Sequence, residues 1–249
     1  MAVIAVYSVK GGVGKTTIAA NLAWTSAAKS RRHTLLWDLD ATGGAAFLFG
    51  LDEPRKPRAG KLFDAKAEPR KLIRPSGYDR LDILPADESL RDLESRFLAL
   101  GKKKRLAKLA DTLGREYERI ILDCPPVLNE ISAQVIRAAD LVIVPLPPSP
   151  LSRRALEIIQ QDLRDNHRKH PPILPVLSMF DARRRLHKQL REEEAATWPL
   201  IPMASVVEQG AECNQPVGAF APNSPAAQGF ARLWTAIERK LAQIRAEKN

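Results

Sequence analysis

Residues 8–17 read Ser-Val-Lys-Gly-Gly-Val-Gly-Lys-Thr-Thr, and their flanks leave few folds open. Before them runs Val3-Ile4-Ala5-Val6-Tyr7, a β-branched stretch of the kind that forms a buried strand. After them, Thr16 to Ala28 is alanine-rich and free of glycine and proline, which predicts a helix. Strand, glycine-rich turn, helix is the context a phosphate-binding loop requires. Gly11, Gly12 and Gly14 permit backbone angles that a side chain would forbid. The N–H groups from Gly11 through Val13 to Thr16 and Thr17 can therefore turn toward one anion, at the positive end of the helix. Lys15 supplies a point charge to the β and γ phosphates, and the Thr16 hydroxyl is placed to ligate Mg²⁺.

The spacing departs from G-x-x-x-x-G-K-[ST] in an informative way. Counting back from Gly14-Lys15-Thr16, the first glycine position falls on Val9, and an additional lysine, Lys10, heads the loop. With Lys10, Lys15 and the double threonine in place, the chain resembles the deviant Walker A ATPases of the ParA/MinD family. The resemblance implies ATP and Mg²⁺ as cofactors and an ATP-dependent homodimer, with Lys10 reaching across the interface to the partner's ATP. It runs from Ala2 to about Leu241 and is softer after residue 170.

The 249 residues suffice for one large α/β domain, and 45% hydrophobic content can supply its core. No apolar stretch approaches a membrane span, and the N-terminus lacks a basic-then-apolar leader, so a cytoplasmic protein is expected. Cys124 and Cys213 have neither the count nor the spacing of a disulfide framework or a zinc site. The excess of 39 Lys+Arg over 29 Asp+Glu gives +10, which favours a polyanionic partner, nucleic acid or an anionic membrane. A solvated basic surface gives the same number.

Along the chain, further strands are predicted at 34–37, 81–86, 119–123, 141–145 and 174–180, with a fragment at 199–202. Helices are predicted at 89–113, 132–139, 152–167, 186–196 and 228–246, with a short one inside 41–50. Residues 51–80 read as a surface excursion with one helical turn near 60–65. Apolar strands alternating with helices, without hairpin signals, imply an α/β fold: a mainly parallel, doubly wound sheet covered by helices on both faces. Residues 1–249 are expected to form a single domain. Ligands of such sheets bind beyond the carboxyl ends of the strands, where the loop and three acids fall.

Those acids are Asp38, Asp40 and Asp123. Asp123 closes an apolar strand, as a Walker B acid does, and is expected to hold Mg²⁺ directly or through water; a lone aspartate there is otherwise a cap or turn residue. Asp38 and Asp40 stand two residues apart, so strand alternation would point their side chains the same way. The family resemblance gives Asp40 the attacking water and places Asp38 in the outer shell of Mg²⁺. Where the family continues Pro-Gln-Gly-Asn, this chain has Ala41-Thr42-Gly43-Gly44. Cys124 is read as packing.

Met179-Phe180-Asp181-Ala182-Arg183 resembles the family's Met-x-Asp-x-Arg segment, placing Met179 and Asp181 near the adenine and the dimer edge. Asp181 alternatively caps the following helix. Pro202 and Met203, with 208–217 as a base-side loop, resemble the family's adenine contacts; a proline-terminated strand fragment reads the same way. Basic residues cluster at Arg31-Arg32, 55–58, 102–105 and, as the best DNA candidate, Arg183, Arg184, Arg185, Lys188 and Arg191. The loop 221–225, basic in many relatives, carries no basic residue here. None of the four histidines is assigned chemistry. The apolar stripe of the last helix is read as core-facing and not as a membrane tail.

By resemblance, the expected function is a slow ATPase that binds nucleoid DNA without sequence preference. It would respond to a ParB-like or other activating partner and segregate or position a DNA or protein cargo. A MinD-like regulator of division or polar assembly, acting at a membrane or on a partner protein, is the alternative. A metabolite kinase or electron carrier with a phosphate loop is disfavoured by Lys10 and by the lack of a cysteine pair.

Overall fold

The computed structural model describes residues 1–248 apart from 52–57, 64–67, 102–103 and 167–169. Its strands are β1 (Ala2–Val6), β2 (Thr34–Asp38), β3 (Arg74–Pro75), β4 (Leu81–Leu84), β5 (Arg119–Asp123), β6 (Leu141–Leu146), β7 (Ile173–Phe180) and β8 (Leu200–Pro202). They form one sheet in the order β3-β4-β2-β5-β1-β6-β7-β8. Every neighbouring pair is parallel except β3–β4. β1, β2, β5 and β6 are buried at every residue, so their apolar residues form unbroken runs and do not alternate, with polar residues only at the ends of β2 and β5.

The helices are α1 (Lys15–Ser30), α2 (Gly44–Phe47), α3 (Leu93–Leu100), α4 (Arg105–Leu113), α5 (Glu130–Ala138), α6 (Pro150–Asn166), α7 (Arg185–Glu193), α8 (Ser205–Glu212), α9 (Val217–Phe220) and α10 (Pro225–Lys248). One core packs α3, α4, α5 and α6 on one face of the sheet. The other packs α1, α2, α8, α9 and α10 on the opposite face. The expected doubly wound α/β architecture is therefore present. The stripe on α10 faces inward as expected: Phe230, Leu233, Trp234, Ile237 and Leu241 are buried, and the Trp234 indole donates to Ser30 Oγ at 2.7 Å. No helix among the described residues is long and apolar enough to cross a membrane.

Four expectations need correction. The helix expected over 89–113 is a 3-10 turn at Glu88–Asp92 followed by α3 and α4. Gly101, at φ 57°, takes the left-handed conformation that ends α3. The excursion at 51–80 is not all surface. A 3-10 turn at Ala59–Phe63 buries Leu62 and Phe63, and Phe63 stacks on Trp37 and meets the edge of Phe97. Two core aromatics thus reach back to a segment whose pattern showed no period. The same stretch holds β3, a two-residue antiparallel edge strand turned at Gly77 (φ 84°), too short to announce itself; Pro75 is tolerated at an edge. Finally, 208–217 is not a loop: it spans most of α8 and the turn into α9, with Asn214 left-handed between them. Residues 55–57, Lys102, Lys103, His167 and the end of the expected turn at 64–65 lie outside the described residues.

Candidate nucleotide-binding site

β1 lies between β5 and β6, and the loop that follows it opens at the carboxyl edge of the sheet, the crevice where ligands of open α/β sheets bind. Gly12 and Gly14 have φ of 69° and 88°. Such left-handed turns need glycine, and they deliver the chain to the first turn of α1 with no side chain capping it. The uncapped N–H groups and the positive end of a sixteen-residue helix therefore converge on the loop.

Lys15 is 7% exposed, and among the described residues its ammonium hydrogen-bonds only the Lys10 carbonyl, at 3.5 Å. A buried cation so weakly partnered is costly unless an anion completes it. Lys10 is half-buried; its backbone N–H donates to the buried Ser8 hydroxyl, and no described residue pairs with its ammonium. Ser8 was not singled out by the sequence, yet it fixes the bend that carries Lys10.

The acids separate into three environments. Asp38 ends β2 directly opposite Asp123 in β5, and both are fully buried. Asp38 is satisfied: its Oδ1 accepts the Asp40 N–H at 2.9 Å and its Oδ2 the Ala45 N–H at 3.0 Å, so it clamps the segment leading into α2. Asp123 has neither carboxylate oxygen hydrogen-bonded. Burial pushes its carboxyl up to about 7, with the charge of Asp40 adding to the rise and Thr16 and Lys15 pulling it down. Burial, with the facing Asp123, also drives Asp38 upward. Asp40 lies beyond the strand end, so period-two alternation does not reach it. It is half-buried, and its Oδ1 accepts from the Thr42 N–H (3.1 Å) and hydroxyl (2.9 Å). Cys124 is buried in the core, its thiol against the Leu122 carbonyl.

An orphaned buried carboxylate beside a threonine hydroxyl and an underused lysine suits Mg²⁺. That ion is usually held by one or two carboxylates together with substrate phosphates and water. Asp123 and Thr16 fit it; each Asp38 oxygen already holds one backbone N–H, so Asp38 is the less available of the two facing carboxylates.

Of the residues expected beside the base, Met179 approaches the loop. Met179 holds a left-handed φ of 54°, and its methyl lies 3.6 Å from where a Cβ on Gly14 would stand. The Met203 N–H donates to the Phe180 carbonyl at 2.8 Å, which ties the segment after Pro202 to the end of β7. Asp181 does not cap α7, which starts beyond Arg184. Its carboxylate takes Arg183 Nε and Nη2, both at 3.0 Å, and that guanidinium holds it down at about 2. His187, assigned nothing from sequence, accepts the Asp181 N–H on Nδ1 at 3.0 Å and so fixes this turn. Asn214 likewise went unnoticed: its amide donates to the Phe47 carbonyl and joins the α8–α9 turn to α2. Neither contact has a periodicity that a sequence reveals.

Of the basic group, Arg191 donates to the Ala195 and Trp198 carbonyls and closes α7, and Arg183 is held by Asp181. Arg184, Arg185 and Lys188 are exposed.

A parallel sheet with a glycine loop feeding an uncapped helix, a lysine in the loop and an acid at the end of the adjacent strand together define a P-loop nucleoside-triphosphatase. Residues 1–174 match the family model AAA_31, described as an AAA domain. The chain is 30% identical to the chromosome partitioning protein ParA of Caulobacter vibrioides over 253 residues, covering 93% of this chain and 91% of that one. It is 31% identical to the ParA of Myxococcus xanthus over 202 residues, covering 77% and 69%. In fold it is similar to the septum site-determining protein MinD of Pyrococcus horikoshii, solved with Mg-ADP, at a TM-score of 0.78, with 20% identity and 98% of each chain covered. The chain belongs to the ParA/MinD family of P-loop ATPases.

Proposed function

We propose that the chain binds Mg-ATP in this loop, pairs with a second copy across the carboxyl face of its sheet, and hydrolyses ATP slowly. The cycle would control non-specific DNA binding and position a DNA or protein cargo. The observation that carries this reading is the mismatch of charge at the loop: a buried Lys15 with one distant carbonyl and a buried Asp123 with no close hydrogen bond, eased only by nearby Thr16 and Lys15. A triphosphate with its cation satisfies both. The partition role is supported by the ParA relatives, which are named for it.

In this reading the amides from Gly11 to Thr17 and the Lys15 ammonium hold the phosphates, and Thr16 and Asp123 hold Mg²⁺. Bound there, Mg²⁺ neutralises charge developing on the transferred phosphoryl group. Lys10, whose ammonium pairs with no described residue, reaches the phosphates of the second copy. Asp40 orients the attacking water through Oδ2, while Thr42 holds its Oδ1. Met179, Asp181, Pro202 and Met203 flank the base. Asp38 acts by holding the Asp40–Ala45 segment in place.

Arg184, Arg185 and Lys188 supply the DNA contacts, three from each protomer. About six phosphate contacts predict a loss of about 10³-fold in affinity between about 50 and 200 mM salt. Co-sedimentation of Asp40→Ala protein with DNA tests this. Binding with ATP and not with ADP, steeply salt-dependent and lost when the three cations become glutamates, is the expected result. No binding with either nucleotide overturns the DNA assignment.

A further inference from the structure

The segment that leads from Asp40 into α2 sits tightly against the phosphate loop. A Cβ on Gly44, the first residue of α2, would stand 3.1 Å from the Thr16 methyl. α2 itself is four residues long, too short to hold its shape by helical bonding alone. Ala45, Ala46 and Phe49 anchor it in the core. Among the described residues, two side chains then hold its backbone. Asp38 takes the Ala45 N–H at the front. At the back, the Phe47 carbonyl accepts from the Asn214 amide at 2.6 Å, from 167 positions further along the chain.

Asn214 occupies a position whose default residue is glycine, since its φ is 55°. Asparagine tolerates that conformation and brings an amide that glycine lacks. Gly50, also left-handed at φ 66°, lets the two segments approach: a Cβ there would stand 3.4 Å from the Asn214 Cβ. The other end of the same turn is fixed to α1. The Val217 N–H donates to Asn21 Oδ1 at 2.8 Å, and Asn21 Nδ2 donates to the Thr17 carbonyl at 2.9 Å. The turn between α8 and α9 is therefore a strut. One end rests on the helix that carries Thr16 and Thr17, the other on the segment that follows Asp40.

We propose that Asn214 is a positioning residue for hydrolysis. It ties the Phe47 carbonyl to a turn already fixed on α1, and so sets the distance of the 40–47 segment from the phosphate loop, with Asp40 facing the attacking water. The proposal rests on the role given to Asp40 above. Asn214 acts only through that segment. A shift of about 1 Å in a catalytic group can cost about 10²-fold in rate, so this one bond weighs far more on turnover than on folding. Nucleotide affinity, set by the loop amides and Lys15, does not depend on it.

The test replaces Asn214 by glycine and by aspartate in the full chain. Both residues accept a left-handed backbone, and neither side chain can donate to the Phe47 carbonyl once the aspartate is ionised. Amide hydrogen exchange over 44–50 in the nucleotide-free protein should quicken by about tenfold, the weight of one hydrogen bond. ATP turnover at saturating Mg-ATP should fall by about tenfold or more in each variant, while affinity for a fluorescent nucleotide stays within about twofold. An asparagine that merely supported the fold would move turnover, affinity and thermal midpoint together. In an Asp40→Ala background, Asn214→Gly should add no further loss of turnover, because the group it positions is gone. Unchanged exchange over 44–50, unchanged or faster turnover in either variant, affinity lost in parallel with turnover, or a further loss in the Asp40→Ala background overturns the proposal. Asp40→Ala alone tests the reading beneath it, so failure of that reading is seen separately.

Discussion

Lys15→Ala protein is expected to lose nucleotide binding and to fall by at least about 10²–10³-fold in ATP turnover while remaining folded, since a single preorganised donor to transition-state charge is worth that much. The structure separates the two effects. Lys15 is nearly buried, and its ammonium makes one long contact to a neighbouring carbonyl. Truncation therefore removes a poorly compensated buried charge and a flexible stem, not a structural hydrogen-bond network. Lys15 also lowers the pKa of Asp123, so the alanine variant should hold that proton to higher pH. Binding of a fluorescent nucleotide, turnover and thermal unfolding measured on one preparation check all of this. Unchanged turnover would remove Lys15 from the site.

Asp123→Asn should act in opposite directions on stability and activity. In the nucleotide-free protein, burial holds the Asp123 carboxyl up at about 7, against an ordinary value of 3.8. The folded state thus takes up a proton that the unfolded chain has released over this interval. The stability this group contributes is complete below about pH 4 and is lost as pH rises through about 7. Above that, the fold carries a buried carboxylate with neither oxygen bonded. Such groups cost about 1–3 kcal/mol. Asparagine at 123 should therefore stabilise the nucleotide-free protein by roughly that amount at pH 8 and by progressively less toward pH 5. The same variant should lose Mg²⁺-dependent nucleotide stabilisation and turnover, because the amide is a poor ligand for a hard cation. Thermal unfolding across pH, with and without Mg²⁺ and nucleotide, reads both effects. Destabilisation at pH 8 in the absence of nucleotide would contradict them.

Much of this architecture is legible in the sequence because buried parallel strands advertise themselves. β1 and β6 are apolar from end to end and β2 and β5 through their middles, and the loop glycines mark where the chain must turn in a left-handed sense. Features set by distant contacts are not legible. Phe63 joins the core by stacking on Trp37, twenty-six positions earlier, so nothing local distinguishes it from a surface aromatic. His187 and Asn214 position the Asp181 turn and α2 through single bonds to backbone atoms, which leave no pattern. The acids show the same limit. Sequence places Asp38, Asp40 and Asp123 together, but only the geometry reveals that Asp38 holds a backbone donor on each oxygen, Asp40 is engaged by Thr42, and Asp123 lacks a hydrogen bond. The basic run at 183–191 divides in the same way, with Arg183 and Arg191 committed to the fold and the rest exposed.

The most direct measurement is the solution mass of Asp40→Ala protein by light scattering in Mg-ATP and in Mg-ADP, alone and combined with Lys10→Ala. Asp40→Ala should be dimeric with ATP and monomeric with ADP, since phosphate binding is intact and only the water is left unoriented. Adding Lys10→Ala should leave nucleotide bound and the protein monomeric in both. A dimer that forms as completely without Lys10 would contradict the transfer of its charge to the partner's nucleotide.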